Sequence, residues 1–197
     1  MEELRPGLWR WTAWHDEWEE EVGSLALETD DGLVLVDPLE PPKQFRKPDH
    51  VLLTVFWHGR STGDLKAKRV WAPTRSAKPL ANRGVNVTDV FGVDDELPGR
   101  IRAFQTARAS EVVFWVPAHR AVVVGDVLLG AGARPRATSE RLRLCPERWI
   151  GKATHADLRE SLRPLLELAV QRVLVAHGDP VLRGGKRALE QVLGAHT

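Results

Sequence analysis

Four apolar runs, each ending in a side chain able to carry chemistry, constrain this chain more than any other feature. Leu33-Val34-Leu35-Val36 ends in Asp37, and Val51 to Phe56 runs into Trp57-His58. Ala121 to Val124 ends in Gly125-Asp126, and Val173 to Ala176 ends in His177-Gly178. Continuous runs this short and this rich in Val and Leu read as strands buried on both faces. In such sheets, ligand sites gather where strands hand over to loops. Each residue taken singly has a plain structural role. Asp37 before Pro38 suits a turn, Asp126 a turn cap, and the histidines a packed interior. Four together point to one shared pocket.

The rest of the pattern places those strands in sheets. Val22 to Leu27 and Leu33 to Val36 flank Asp30-Asp31-Gly32, a hairpin turn signal. Glu111 to Val116 forms a further strand. Ser61 or Thr62 caps a helix running to Lys68, and Ala156 to Val170 has helical apolar spacing with Pro164 marking a bend or boundary. Arg172 to Ala176 and Gly184 to Leu193 close the chain as strand and helix. Paired strands early, then alternating strands and helices, predict an α/β (α+β) arrangement of sheets covered by helices. With 197 residues, 43% of them hydrophobic, residues 1–197 are expected to form a single domain.

Charge and composition narrow the partners. The 28 Lys+Arg nearly cancel 27 Asp+Glu, so nucleic acid is not expected as a partner. No apolar run approaches a membrane span, and the acidic first residues do not resemble a signal peptide, so a cytoplasmic location is expected. One cysteine, Cys145, excludes an internal disulfide and reads as a structural or surface thiol. No Gly-x-Ser-x-Gly elbow is present. Among the eight Trp, Trp9, Trp11, Trp14 and Trp18 crowd the N-terminus, where core or homodimer packing is their expected use. The acidic stretch from His15 to Glu21 reads as a solvated turn, and Arg134 to Arg148 as an exposed connection.

These motifs resemble the metallo-β-lactamase superfamily from about Gly23 to His177. Val36-Asp37-Pro38 looks like the end of its first strand pair, Gly125-Asp126 like its bridging-aspartate motif, and Ala176-His177-Gly178 like its final metal histidine. The resemblance implies a four-layer αββα sandwich, two mixed β-sheets flanked by helices, with the site at one edge. It also implies a first metal motif, Thr-His-x-His-x-Asp-His, after a strand. Here that stretch is Thr54-Val55-Phe56-Trp57-His58-Gly59-Arg60, so the ligand positions hold Val55, Trp57, Gly59 and Arg60. His58 falls on a spacer. The mid-chain stretch Gln105 to Ser110 lacks the family's histidine.

Asp126 and His177 alone are too few for a catalytic zinc, which usually keeps three protein ligands. The expectation is therefore a degenerate site with no metal or cofactor. Trp57, His58, Arg60, Asp126 and His177 would line a small-molecule pocket, and Asp37 would stand behind them. A vestigial hydrolase or binding protein is the first reading. A mononuclear hydrolase with one zinc, iron or manganese ion on His58, Asp126 and His177 is the alternative. An interaction module built on the N-terminal tryptophans is the third. Without an ion, the Arg60 guanidinium is expected to pair with Asp126, directly or through one water, since that charge would otherwise stand unmatched.

Overall fold

The computed structural model describes residues 1–136 and 138–194. It opens with β1 (Glu2–Arg5), β2 (Leu8–His15), β3 (Glu20–Thr29) and β4 (Gly32–Val36), an antiparallel meander. The expected turn at Asp30-Asp31-Gly32 joins β3 to β4. Next come β5 (His50–Leu52), β6 (Arg69–Pro73) and β7 (Asp89–Phe91), which extend the sheet in parallel, with α1 (Thr74–Asn82) between β6 and β7. The seven strands lie in chain order.

A second sheet runs β13-β10-β9-β8, from β8 (Arg102–Gln105), β9 (Val112–Val116), β10 (Ala121–Val124) and β13 (Arg172–Val175). Its β10 and β13 are parallel. A small pair, β11 (Leu128–Gly130) and β12 (Leu142–Leu144), lies beside it, so the stretch from Arg134 to Arg148 is not purely a loop. Helices α2 (His155–Leu162) and α3 (Gly185–Leu193) complete the chain.

Strand side chains alternate between faces, and that alternation builds three cores from the apolar runs. Leu25, Leu27, Val34, Val36 and Leu52 meet Phe114, Val116, Val123 and Leu174 between the two sheets. The alternate residues Ala26, Leu35 and Val51 face Leu80 of α1 on the outer side of the first sheet. Val113, Trp115, Val122, Val124, Val173 and Val175 face Leu158 and Leu162 of α2 and Leu189 of α3. Three cores separate four layers, so the molecule is the expected αββα sandwich. Among the described residues, no helix is long and apolar enough to cross a membrane.

Three elements depart from expectation. The strand expected through Phe56 stops at Leu52. Asp37 takes over Thr54, accepting from its amide at 2.9 Å and its hydroxyl at 2.5 Å, which removes that residue from the sheet ladder. The helix expected from Ser61 is replaced by 3-10 turns over Phe56–Asp64. The Ser61 hydroxyl does not cap a helix there and instead accepts the Glu40 amide at 2.9 Å. Further on, the expected Ala156–Val170 helix divides at Pro164, with α2 ending at Leu162 and a 3-10 segment over Arg163–Glu167.

Candidate functional site

Four chain segments reach the site from strand ends. Asp37 follows β4, Thr54 follows β5, Asp126 follows β10 and His177 follows β13. The sheets are tied together there, since the Gly23 amide donates to the Ala176 carbonyl at 2.7 Å and the Val112 amide to the Thr54 carbonyl at 3.0 Å. The backbone at Asp37 and Arg60 is left-handed, with φ of 48° and 34°. Such strain in non-glycine residues often marks functional sites.

The two histidines converge on one carboxylate oxygen. His58 Nε2 lies 3.0 Å from Asp126 Oδ1, and His177 Nε2 lies 3.1 Å from the same atom. Each ring is held from behind by another acid. His58 Nδ1 donates to Asp37 Oδ2 at 2.8 Å, and His177 Nδ1 to Glu20 Oε1 at 2.5 Å. The other Asp126 oxygen accepts the Trp57 indole N–H at 2.6 Å and lies 3.5 Å from Arg108 Nη1. Arg108 Nη1 also donates to Glu111 Oε2 at 3.0 Å, and its guanidinium sits 4.7 Å from the Trp57 ring. Glu111 in turn accepts the amides of Asp126 at 2.6 Å and Val127 at 3.1 Å, which sets the orientation of the Asp126 turn.

The electrostatics follow from burial and these partners. Burial works against ionising Asp126, but the charge of His58 and hydrogen bonds from His177 and His58 hold its carboxyl well below the usual range. Burial also opposes charging His177, yet hydrogen bonds to Asp126 and Glu20 push it up to about 9. His58 is raised too, because Asp126 and Asp37 outweigh burial and Arg60. For Glu111, burial and the neighbouring Asp126 charge push the carboxyl up to about 7.

All five residues expected in the pocket, Trp57, His58, Arg60, Asp126 and His177, line one cavity of about 480 Å³. Asp37 stands behind His58, its Oδ2 lying 2.8 Å from His58 Nδ1. No direct pairing of Arg60 with Asp126 is present. Arg60 Nη1 donates to the carbonyls of Asp37 at 3.0 Å and Gly23 at 3.3 Å. The cation that meets Asp126 is Arg108, from the very stretch that lacks the family's histidine. His58, assigned by the linear motif to a spacer, is turned inward by the 3-10 segment. The count of donors on one spot thus rises from two to three. Among the described residues, one nitrogen each of His58 and His177 and one oxygen of Asp126 lie within 4.8 Å of one another.

Sequence reasoning missed Glu20, Trp18, Arg108, Glu111 and Trp149. Glu20 lies in the acidic stretch read as a solvated turn, yet it holds His177. Trp18, read as core or interface packing, stacks edge-on against Trp149 at 5.1 Å and His177 at 6.0 Å. Trp9 and Trp11 do pack internally, against Phe45. One clue to Glu111 was available, because an acid opens an otherwise wholly apolar strand run.

No family model matches the sequence, and no curated protein matches it. Solved structures do. A metallo-β-lactamase from Pontibacter korlensis superposes with a TM-score of 0.68 at 12% identity, covering 99% of this chain and 98% of that one. One from Erythrobacter litoralis, with β-mercaptoethanol in the active site, gives 0.66 at 17% identity, covering 98% and 93%. The FIM-1 enzyme of Pseudomonas aeruginosa in a mono-zinc form gives 0.64 at 14% identity, covering 96% and 92%.

Proposed function

We propose that this chain, which has the metallo-β-lactamase fold, is a hydrolase that works with a single metal ion held by His58, Asp126 and His177. The observation that carries this reading is the backing of both imidazoles. With Nδ1 of each ring committed to a carboxylate, Asp37 or Glu20, only Nε2 remains for a ligand. A histidine oriented by a carboxylate in this way is the usual support for a metal ligand. Two nitrogens and one carboxylate oxygen suit zinc, iron or manganese and leave an open position. One similar structure, from P. aeruginosa, is described in a mono-zinc form. A second ion is not supported, because the Trp57 indole and Arg108 already occupy the far side of Asp126.

When bound, such an ion supplies Lewis acidity and lowers the pKa of water. The chain's own residues do the rest. Asp37 and Glu20 orient the two rings. Glu111 fixes the turn that presents Asp126. Arg108 places its guanidinium beside Asp126, where it can stabilise negative charge developing on a substrate. Phe56, Trp57 and Trp149 wall the cavity against water.

Metal analysis tests this. Protein purified without chelator and loaded with zinc, iron or manganese at neutral pH should retain about one equivalent of one of them after dialysis. The His58→Ala and His177→Ala variants should each lose it while staying folded by circular dichroism. Retention well below one equivalent in the unaltered protein would overturn the reading. A metal-free binding protein is the second reading, favoured by a closed network in which both protonated imidazoles find carboxylates on both sides.

A further inference from the structure

We propose that the cavity beside His58, Asp126 and His177 recognises a small aryl carboxylate, a flat aromatic group bearing one anionic group. This inference rests on the hydrolase reading for its role as substrate class, but the recognition argument stands on the cavity walls alone.

The walls are aromatic. Trp18, Phe56, Trp57 and Trp149 line the space, and among the described residues no Leu, Ile, Val or Met does. An alkyl ligand would find no matching aliphatic surface, whereas a flat ring finds faces and edges to stack on. Phe56 and Trp57 meet edge to face at 4.6 Å, and Trp18 and Trp149 at 5.1 Å, so the rings are braced against one another. Trp18 is still 36% exposed, which leaves its surface available to cover a ligand. The volume of about 480 Å³ is in the range of small-molecule sites.

Two arginines at the cavity stand without an acidic partner. Of the other charged groups lining the cavity, Arg108 pairs with Glu111, and Asp126 is in contact with both histidines. That leaves Arg60 and Arg83 against Glu17. Among the described residues, neither Arg60 nor Arg83 has a carboxylate within ion-pairing distance. Arg60 donates to backbone carbonyls, and Arg83 is exposed with its guanidinium 5.3 Å from the Phe56 ring. A cation beside an aromatic wall reads an anion and a ring in one ligand. Two arginines without a carboxylate partner fit an anionic group on the ligand.

The test uses chelator-treated protein with 2-naphthoate, 2-naphthamide, cyclohexanecarboxylate and inorganic phosphate as probes in titration calorimetry. Because no ion is present, binding here does not depend on whether the protein holds a metal. Naphthoate should bind saturably, about tenfold tighter than each of the other three probes. Arg83→Gln, an exposed position, should weaken naphthoate about tenfold and leave naphthamide unchanged. Trp149→Ala should weaken both. Equal affinity for naphthoate and naphthamide overturns the anionic part of the proposal. Equal affinity for naphthoate and phosphate or cyclohexanecarboxylate overturns the aromatic part. Absence of saturable naphthoate binding overturns the whole, while leaving the metal experiment to judge the hydrolase reading separately.

Discussion

Arg108 shows how much one side chain decides here. Its guanidinium touches Glu111, Asp126 and the Trp57 ring, and both Arg108 and Glu111 are buried. Removing one partner of a buried pair strands the other charge, at a cost of about 3 to 5 kcal/mol. Arg108→Ala is therefore expected to lower urea-unfolding stability by about 3 kcal/mol. Joining Arg108→Met with Glu111→Gln should recover much of that loss, since Gln keeps the oxygen that accepts the Asp126 and Val127 amides. A double variant as unstable as the single one would contradict the pairing account. Cys145 gives a second test at this scale. It is buried, and burial pushes its thiol up to about 12. A thiol-reactive dye should leave it unmodified in native protein at neutral pH and label it once the chain is unfolded in guanidinium.

At the scale of the element, the approach of β13 to its neighbour sets where His177 stands. Gly178 follows it with φ of 79°, and a Cβ there would lie 2.6 Å from the Ala131 carbonyl oxygen and 2.7 Å from that of Gly130. Both obstacles are backbone atoms, which cannot swing aside. Gly178→Ala should thus cost about 2 kcal/mol or more and displace His177, visible as weaker metal retention as well as lower stability. The start of α2 gives a milder case. Thr154 and Asp157 form a reciprocal cap, the Thr154 hydroxyl accepting the Asp157 amide at 3.2 Å and the Asp157 carboxylate accepting the Thr154 amide at 2.9 Å. Thr154→Ala should cost about 1 kcal/mol with no effect on metal retention.

Across the whole molecule, the two sheets meet at a site whose charges tie stability to pH. In the metal-free protein, His177 is raised from 6.5 to about 9. A raised histidine contributes its full stabilisation below pH 6.5 and loses it as pH climbs through 9. Asp126, lowered from 3.8, contributes above that value and fails only on acidification. Chelator-treated protein should therefore melt highest between about pH 4 and 6.5 and progressively lower toward pH 9. Calorimetric scans showing a rising midpoint over pH 6.5 to 9 would contradict this assignment. Added zinc should offset the decline, and most strongly at the alkaline end, because the ion competes with protons for both Nε2 atoms.

Local sequence was enough for everything that repeats locally. The continuous apolar runs Val34–Val36 and Val112–Val116 predict strands buried on both faces, and the runs ending at Asp37, Asp126 and His177 predict that strand ends share a site. These follow from uninterrupted runs of apolar residues, which are written in consecutive positions. Partner choice was not written there. Glu20 and His177 stand 157 positions apart, and only the bridging of the two sheets brings them to 2.5 Å. The Phe56–Asp64 turns break at Arg60, where φ is 34° and ψ −121°, so no regular period sets which way Arg60 leaves the backbone, and a small shift there would re-aim it. Apolar burial tolerates such a shift. A hydrogen bond with a length and a direction does not, and those are set by the packed sheets rather than by any stretch of the chain.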